Sequence, residues 1–230
     1  MTLWAIFRFE VGYQSRRIST WFYAALLLLV TLYVSAEVST EYARSSGTFS
    51  NDPYFAALMA VLGSLIGLLI AAAVSGDAAA RDVQTRMNPF VYTTPVGRFA
   101  YLMGRCLAGF SLYAASLCAV PIALVLVSLL TNRALVGPFH PAAYLNAYLF
   151  LLLPNAFVAT ALLFAMAVLS RQAVVSYVGA LLIVGLTAFS YVFLALTLQQ
   201  WELAKLLDPS GALPSRSSAA CGRLLKRACG

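Results

Sequence analysis

Charge is absent from long runs of this chain. Residues 18–36, 53–76, 106–132, 134–170 and 172–201 contain no Asp, Glu, Lys or Arg. Each run is rich in Leu, Ala, Val and Phe, and each reaches or approaches the about 20 apolar residues that carry a helix across a bilayer core. The pattern predicts five spans, at about 18–36, 53–75, 106–130, 144–169 and 173–198.

The polar intervals predict the rest. In residues 2–17, Leu3, Trp4, Phe7 and Val11 fall near one helical face, while Arg8, Gln14 and Arg17 lean away. That pattern suits a helix lying in the membrane interface. Glu37–Asp52 reads as a loop with three acids against Arg44. Pro53 opens the second span. Within it Gly63, Gly67, Ala71 and Ser75 recur every fourth residue, a stripe of small side chains on which a neighbouring helix can pack closely.

Residues 77–105 are the most polar internal segment. Asp77 with Arg81, and Asp82 with Arg86, are acid-first i,i+4 pairs. A helix over 77–88 is therefore expected to extend the second span, ended or bent by Pro89, with a second break at Pro95. A short helix bearing Arg98 and Arg105 leads into the third span. Pro121 and Pro154-Asn155 fall inside spans and mark kinks. Ser170-Arg171-Gln172 leaves room only for a tight hairpin of two helices.

Composition sharpens the reading. Only 10% of residues are charged and the mean hydropathy is +0.85. A soluble domain of 230 residues cannot hide that much apolar surface, so the expected class is an all-α, polytopic helical membrane protein. The net charge of +7 forms no nucleic-acid face, because the basic residues sit singly between spans or in the tail. Lys and Arg near the span ends divide eight (Arg8, Arg16, Arg17, Arg81, Arg86, Arg98, Arg105, Arg171) against three (Arg44, Arg133, Lys205). The positive-inside rule then makes the amino terminus and residues 77–105 cytoplasmic. The first apolar run is too long for the core of a secretory signal, so it reads as an uncleaved membrane helix.

Candidate chemistry is sparse. Cys106, Cys118, Cys221 and Cys229 have no C-x-x-C spacing, and His140 is the single histidine. No metal site or cofactor is therefore expected. There is no P-loop motif, so ATP binding by this chain is not expected. No carboxylate lies mid-span to carry an ion relay. Asn155 is the most polar mid-span side chain, and either lines a pathway or bonds a neighbouring helix.

From Pro209 onward the character changes. Residues 209–230 hold no acid and no aromatic, but four of the fifteen basic residues and two of the four cysteines. Either this is a disordered tail, or the reading frame was lost near residue 209.

The order span, Gly76-Asp77-x-x-x-Arg81-Asp82-x-x-x-Arg86, Tyr92-Thr93-Thr94-Pro95-Val96-x-Arg98-x-x-Tyr101-x-x-Gly104-Arg105, span resembles permeases of type-2 ABC exporters. It looks closest to large bacterial permease chains that carry a zinc aminopeptidase-like domain. Ile6-Phe7-Arg8-Phe9-Glu10 and Arg16-Arg17-Ile18-Ser19-Thr20-Trp21 also look like that family's start, and the resemblance covers residues 1–208. It implies a permease module over 1–208 in a bacterial inner membrane, residues 2–17 as a connecting helix, and 77–98 as a cytoplasmic coupling region. Asp77, Arg81, Asp82, Arg86, Pro95 and Arg98 match the family pattern. The implied partners are a cytoplasmic ABC ATPase and a second permease module, as homo- or heterodimer. The family module has six spans, so the resemblance implies an amino-terminal piece of a longer permease. The alternative is a membrane scaffold without transport activity that packs through the Gly63 stripe, or an inactive permease fragment.

Overall fold

A computed structural model describes residues 2–46, 51–84, 97–130, 136–137 and 141–189. All regular structure among these residues is helical: α1 (Thr2–Ser15), α2 (Ile18–Ser46), α3 (Pro53–Gln84), α4 (Arg98–Leu117), α5 (Ala119–Leu130), α6 (Pro141–Ala147), a π turn (Tyr148–Leu152), α7 (Leu153–Ser170) and α8 (Val174–Phe189). Four stretches are long and apolar enough to cross a membrane: Ile18–Ser39, Pro53–Ala79, Phe99–Leu130 and Pro141–Ser170. Large apolar side chains face outward along α2 and α7, with Phe22 62%, Leu29 64%, Phe157 50% and Leu162 51% exposed. In water such a surface would aggregate; in a bilayer it is the side that meets acyl chains. The chain is a helical membrane protein.

The helices outrun several expected boundaries. α2 continues to Ser46 where a loop was expected from Glu37. Hydropathy marks where lipid stops, and a helix can continue into the aqueous layer with its own hydrogen bonds intact. α3, by contrast, runs unbroken through Asp77 and Arg81 to Gln84 as the acid-first pairs predicted. The third crossing begins one to two turns earlier than the charge-free run, because Arg105 lies inside α4. Positions 190–198 of the fifth span, the residue 89 break and the 209–230 tail lie outside the described residues. Contacts divide the chain into two compact units, residues 1–180 and 181–230. Leu181–Phe189, the second half of α8, is the described part of the second unit.

Within residues 1–180, α3 is the most enclosed span and α2 the least; 61% and 17% of their apolar windows are buried. The small-residue stripe is the reason α3 can sit inside. A Cβ on Gly63 would lie 2.6 Å from Val120 Cγ2, and one on Gly67 would lie 2.9 Å from the Tyr113 hydroxyl. Ala71 and Ser75 have no exposed surface. Tyr113 uses the space by donating to the Ser64 carbonyl at 3.1 Å. Asn155 turns inward and donates to Ser64 Oγ at 3.4 Å.

On the amino side of both span prolines, regular α geometry lapses. Pro121 has no N–H to offer Leu117, and the helix breaks at Cys118. There the Cys118 N–H turns to the Ala115 carbonyl at 3.2 Å. That leaves the Ala114 carbonyl without its usual i+4 donor, and the Tyr148 hydroxyl supplies one at 2.8 Å. Tyr148 itself opens the π turn that precedes Pro154. The wider turn absorbs the proline ring and the carbonyl it would otherwise strike. Arg171 closes the α7–α8 hairpin in the left-handed region, at φ 56°.

Candidate functional site

Side chains from three helices converge on Glu10. The carboxylate sits two-thirds of the way along α1 and is 1% exposed. Arg81, from the polar extension of α3, grips it with both terminal nitrogens, at 2.6 Å to Oε1 and 3.2 Å to Oε2. Gln14, one turn further along α1, donates to Oε1 at 2.8 Å. Arg105 of α4 approaches Oε2 with Nε at 3.5 Å.

The network continues outward. Arg81 also donates to Asp77 Oδ2 at 2.8 Å, and Arg17 pairs with the same oxygen at 2.7 Å. Aromatic rings complete the setting. The Arg81 guanidinium lies 4.1 Å from the centre of the Tyr13 ring, and Arg105 lies 4.8 Å from that of Tyr101. Three guanidiniums thus share two carboxylates, and the flat cations are stacked on ring faces as well as hydrogen-bonded. Burial opposes the charge on Arg81, but the hydrogen bonds and negative charges of Glu10 and Asp77 outweigh it and raise its pKa above the ordinary guanidinium value.

Local sequence explains how the pieces arrive. Asp77 and Arg81 are one turn apart on α3, so the helix itself sets their pairing. The α1–α2 turn is tied down by three bonds to carbonyls at the end of α1. Arg17 N and Thr20 Oγ1 donate to the Gln14 carbonyl at 3.1 and 2.8 Å, and Trp21 Nε1 donates to the Ser15 carbonyl at 2.8 Å. These are orphan carbonyls of a helix end, and α2's first turn satisfies them. Gly104 lets α1 come close to α4: a Cβ there would sit 3.1 Å from the Leu3 carbonyl and from Ile6 Cγ2.

Of the residues singled out from sequence, Asp77 and Arg81 belong to this cluster. Asp82 lies on α3 and Arg98 opens α4; Arg86 and Pro95 lie outside the described residues. Gly63, Gly67, Ala71 and Ser75 lie elsewhere on α3, in the packing described above. The sequence placed Gln14 and Arg17 on the outward side of α1. Instead Gln14 is 2% exposed, while Arg17 stays exposed and pairs with Asp77. Glu10, the centre of the site, entered the sequence reading only as part of a motif with no role of its own, and Arg105 was not paired with it.

What this arrangement can do chemically is mechanical. It holds guanidinium and carboxylate groups at fixed distances across three helices. Among the described residues no three His, Cys, Asp or Glu side chains gather where they could hold a metal ion. No protein-family model matches the chain, and no curated protein matches it.

Proposed function

We propose that this chain is the membrane-spanning permease module of an ATP-driven ABC exporter, which couples hydrolysis by a separate cytoplasmic ATPase to substrate movement. The observation that carries the reading is the Glu10 cluster. An ATPase outside the membrane moves membrane helices only through an element that is rigid and protrudes from them. The polar end of α3 protrudes beyond the apolar window that ends at Ala79. Glu10, through Arg81 and Arg105, clamps that end to α1 and α4. A push on one is then transmitted to all three. The motif likeness over 76–105 supports the family reading, and the positive-inside count supports the cytoplasmic side.

The scaffold alternative relied on the Gly63 stripe as a contact surface. Those positions are already filled by Val120, Tyr113 and Leu117 of the same chain.

Affinity purification from native membranes in mild detergent tests the proposal. The expected result is a co-eluting P-loop subunit with ATP hydrolysis, released when Asp82→Ala and Arg86→Ala are combined. Absence of any nucleotide-binding subunit, or its full retention by the double variant, overturns the reading.

A further inference from the structure

The outward charge of the first turns of this protein is entirely positive. Residues 1–36 contain Arg8, Arg16 and Arg17, and Glu10 is their only carboxylate. That carboxylate is buried and taken up by Arg81, Arg105 and Gln14. Arg8 and Arg16 are exposed, and no ion pair holds either of them among the described residues. Beside them stand exposed aromatic and aliphatic side chains: Trp4 at 66%, Phe9 at 70% and Ile18 at 87%.

The depth of this surface is fixed by its connections. Arg17 immediately precedes the apolar window that opens at Ile18, and Arg81 lies two residues past the window that closes at Ala79. Glu10 and Asp77 tie α1 to both ends. α1 is thereby held at the level where acyl chains give way to headgroups. Arg171 lies at the same level: it is exposed, and the nearby Ala173 carbonyl would be 3.1 Å from a Cβ on Gly76.

We propose that the outer face of α1 and its turn is a binding surface for anionic phospholipid headgroups. Trp4, Phe9 and Ile18 enter the acyl boundary, while Arg8 and Arg16 take phosphate oxygens. Helix from Arg8 to Ser15 alone spans about 10 Å, and Arg16 follows in the turn, so each arginine engages a separate lipid. The inference does not rest on the transport reading.

Fluorescence quenching in reconstituted vesicles tests it. Trp21→Phe and Trp201→Phe leave Trp4 as the single indole. Vesicles contain phosphatidylcholine and phosphatidylglycerol, with one or the other brominated at the same mole fraction. The account expects brominated phosphatidylglycerol to quench Trp4 more strongly, reflecting an enrichment of roughly fivefold per arginine. The difference should disappear in Arg8→Gln/Arg16→Gln and shrink at high salt, where exposed charges are screened. Equal quenching by the two lipids in the chain with both arginines overturns the proposal. So does a difference that survives the double substitution.

Discussion

Replacing Glu10 is the most informative single perturbation, because the carboxylate is shared by residues from α1, α3 and α4. In Glu10→Ala, Arg81 loses both hydrogen bonds to the carboxylate and keeps Asp77. Arg105, only 6% exposed, loses its contact with the carboxylate. Removing one member of a buried ion pair typically costs about 3–5 kcal/mol. Arg81's side chain is 14% exposed and retains one carboxylate, so the lower end, about 3 kcal/mol, applies. Glu10→Gln keeps the shape and some hydrogen bonding, and should cost about 1.5–3 kcal/mol, the range for a charged hydrogen bond. The loss should be local. Amide exchange across residues 2–15 should accelerate roughly a hundredfold in Glu10→Ala and about tenfold or more in Glu10→Gln, since about 1.4 kcal/mol is a factor of ten when opening limits exchange. Exchange in α5 and α7 should stay as it was. A cycle with Arg81→Gln should return a coupling energy above about 1 kcal/mol. Unchanged exchange in α1, or a coupling near zero, would refute the idea that Glu10 holds the helix down.

Other substitutions follow from the same geometry. Gly63→Ala drives a methyl to within 2.6 Å of Val120 Cγ2 and should lower stability in mixed micelles by about 1–3 kcal/mol, the usual range for overpacking; an unchanged denaturation midpoint would contradict the packing. Gly12→Ala meets nothing within 4 Å and should stabilise α1 by just under about 1 kcal/mol through helix propensity, seen as slower exchange there. Tyr148→Phe removes the donor to the Ala114 carbonyl at the α4–α5 break and should cost about 0.6–1.7 kcal/mol, as intramembrane hydrogen bonds do. For pH, a raised pKa at Arg81 means its pairing is fully present below the unfolded-state value and is lost only as pH rises through the still higher folded one. Corrected exchange rates in α1 should therefore show no Arg81-linked loss from neutral to moderately alkaline pH.

Much of the scaffold was legible because membrane spans advertise themselves by composition. Four of the charge-free runs coincide with the stretches long and apolar enough to cross a membrane, and Pro121 and Pro154 flagged where α geometry lapses. Their detailed form was not legible. The break at Cys118 involves the Tyr148 hydroxyl, which meets the Ala114 carbonyl, and that neighbour is distant in sequence. Helix ends beyond the lipid were misjudged at Glu37, since charge signals water and not the loss of helix. The site was only half visible. Asp77–Arg81 could be read because a helix sets that spacing. Glu10 could not be assigned to Arg81, 71 residues away, from a single sequence. One signal did exist: a lone carboxylate beside aromatic residues at an end otherwise crowded with arginine. Such a group is seldom left without a partner.

The docking of α1 on α4 under the Glu10 clamp is the central claim, and a disulfide trap tests it most directly. A Cβ on Gly104 would lie 3.2 Å from Ile6 Cβ, slightly closer than the about 3.5–4.5 Å that disulfides favour. With the native cysteines replaced, Ile6→Cys/Gly104→Cys should cross-link rapidly in membranes under mild oxidant, and Trp4→Cys/Gly104→Cys, with Trp4 on the exposed face, should not. Equal rates for the two pairs would contradict the account.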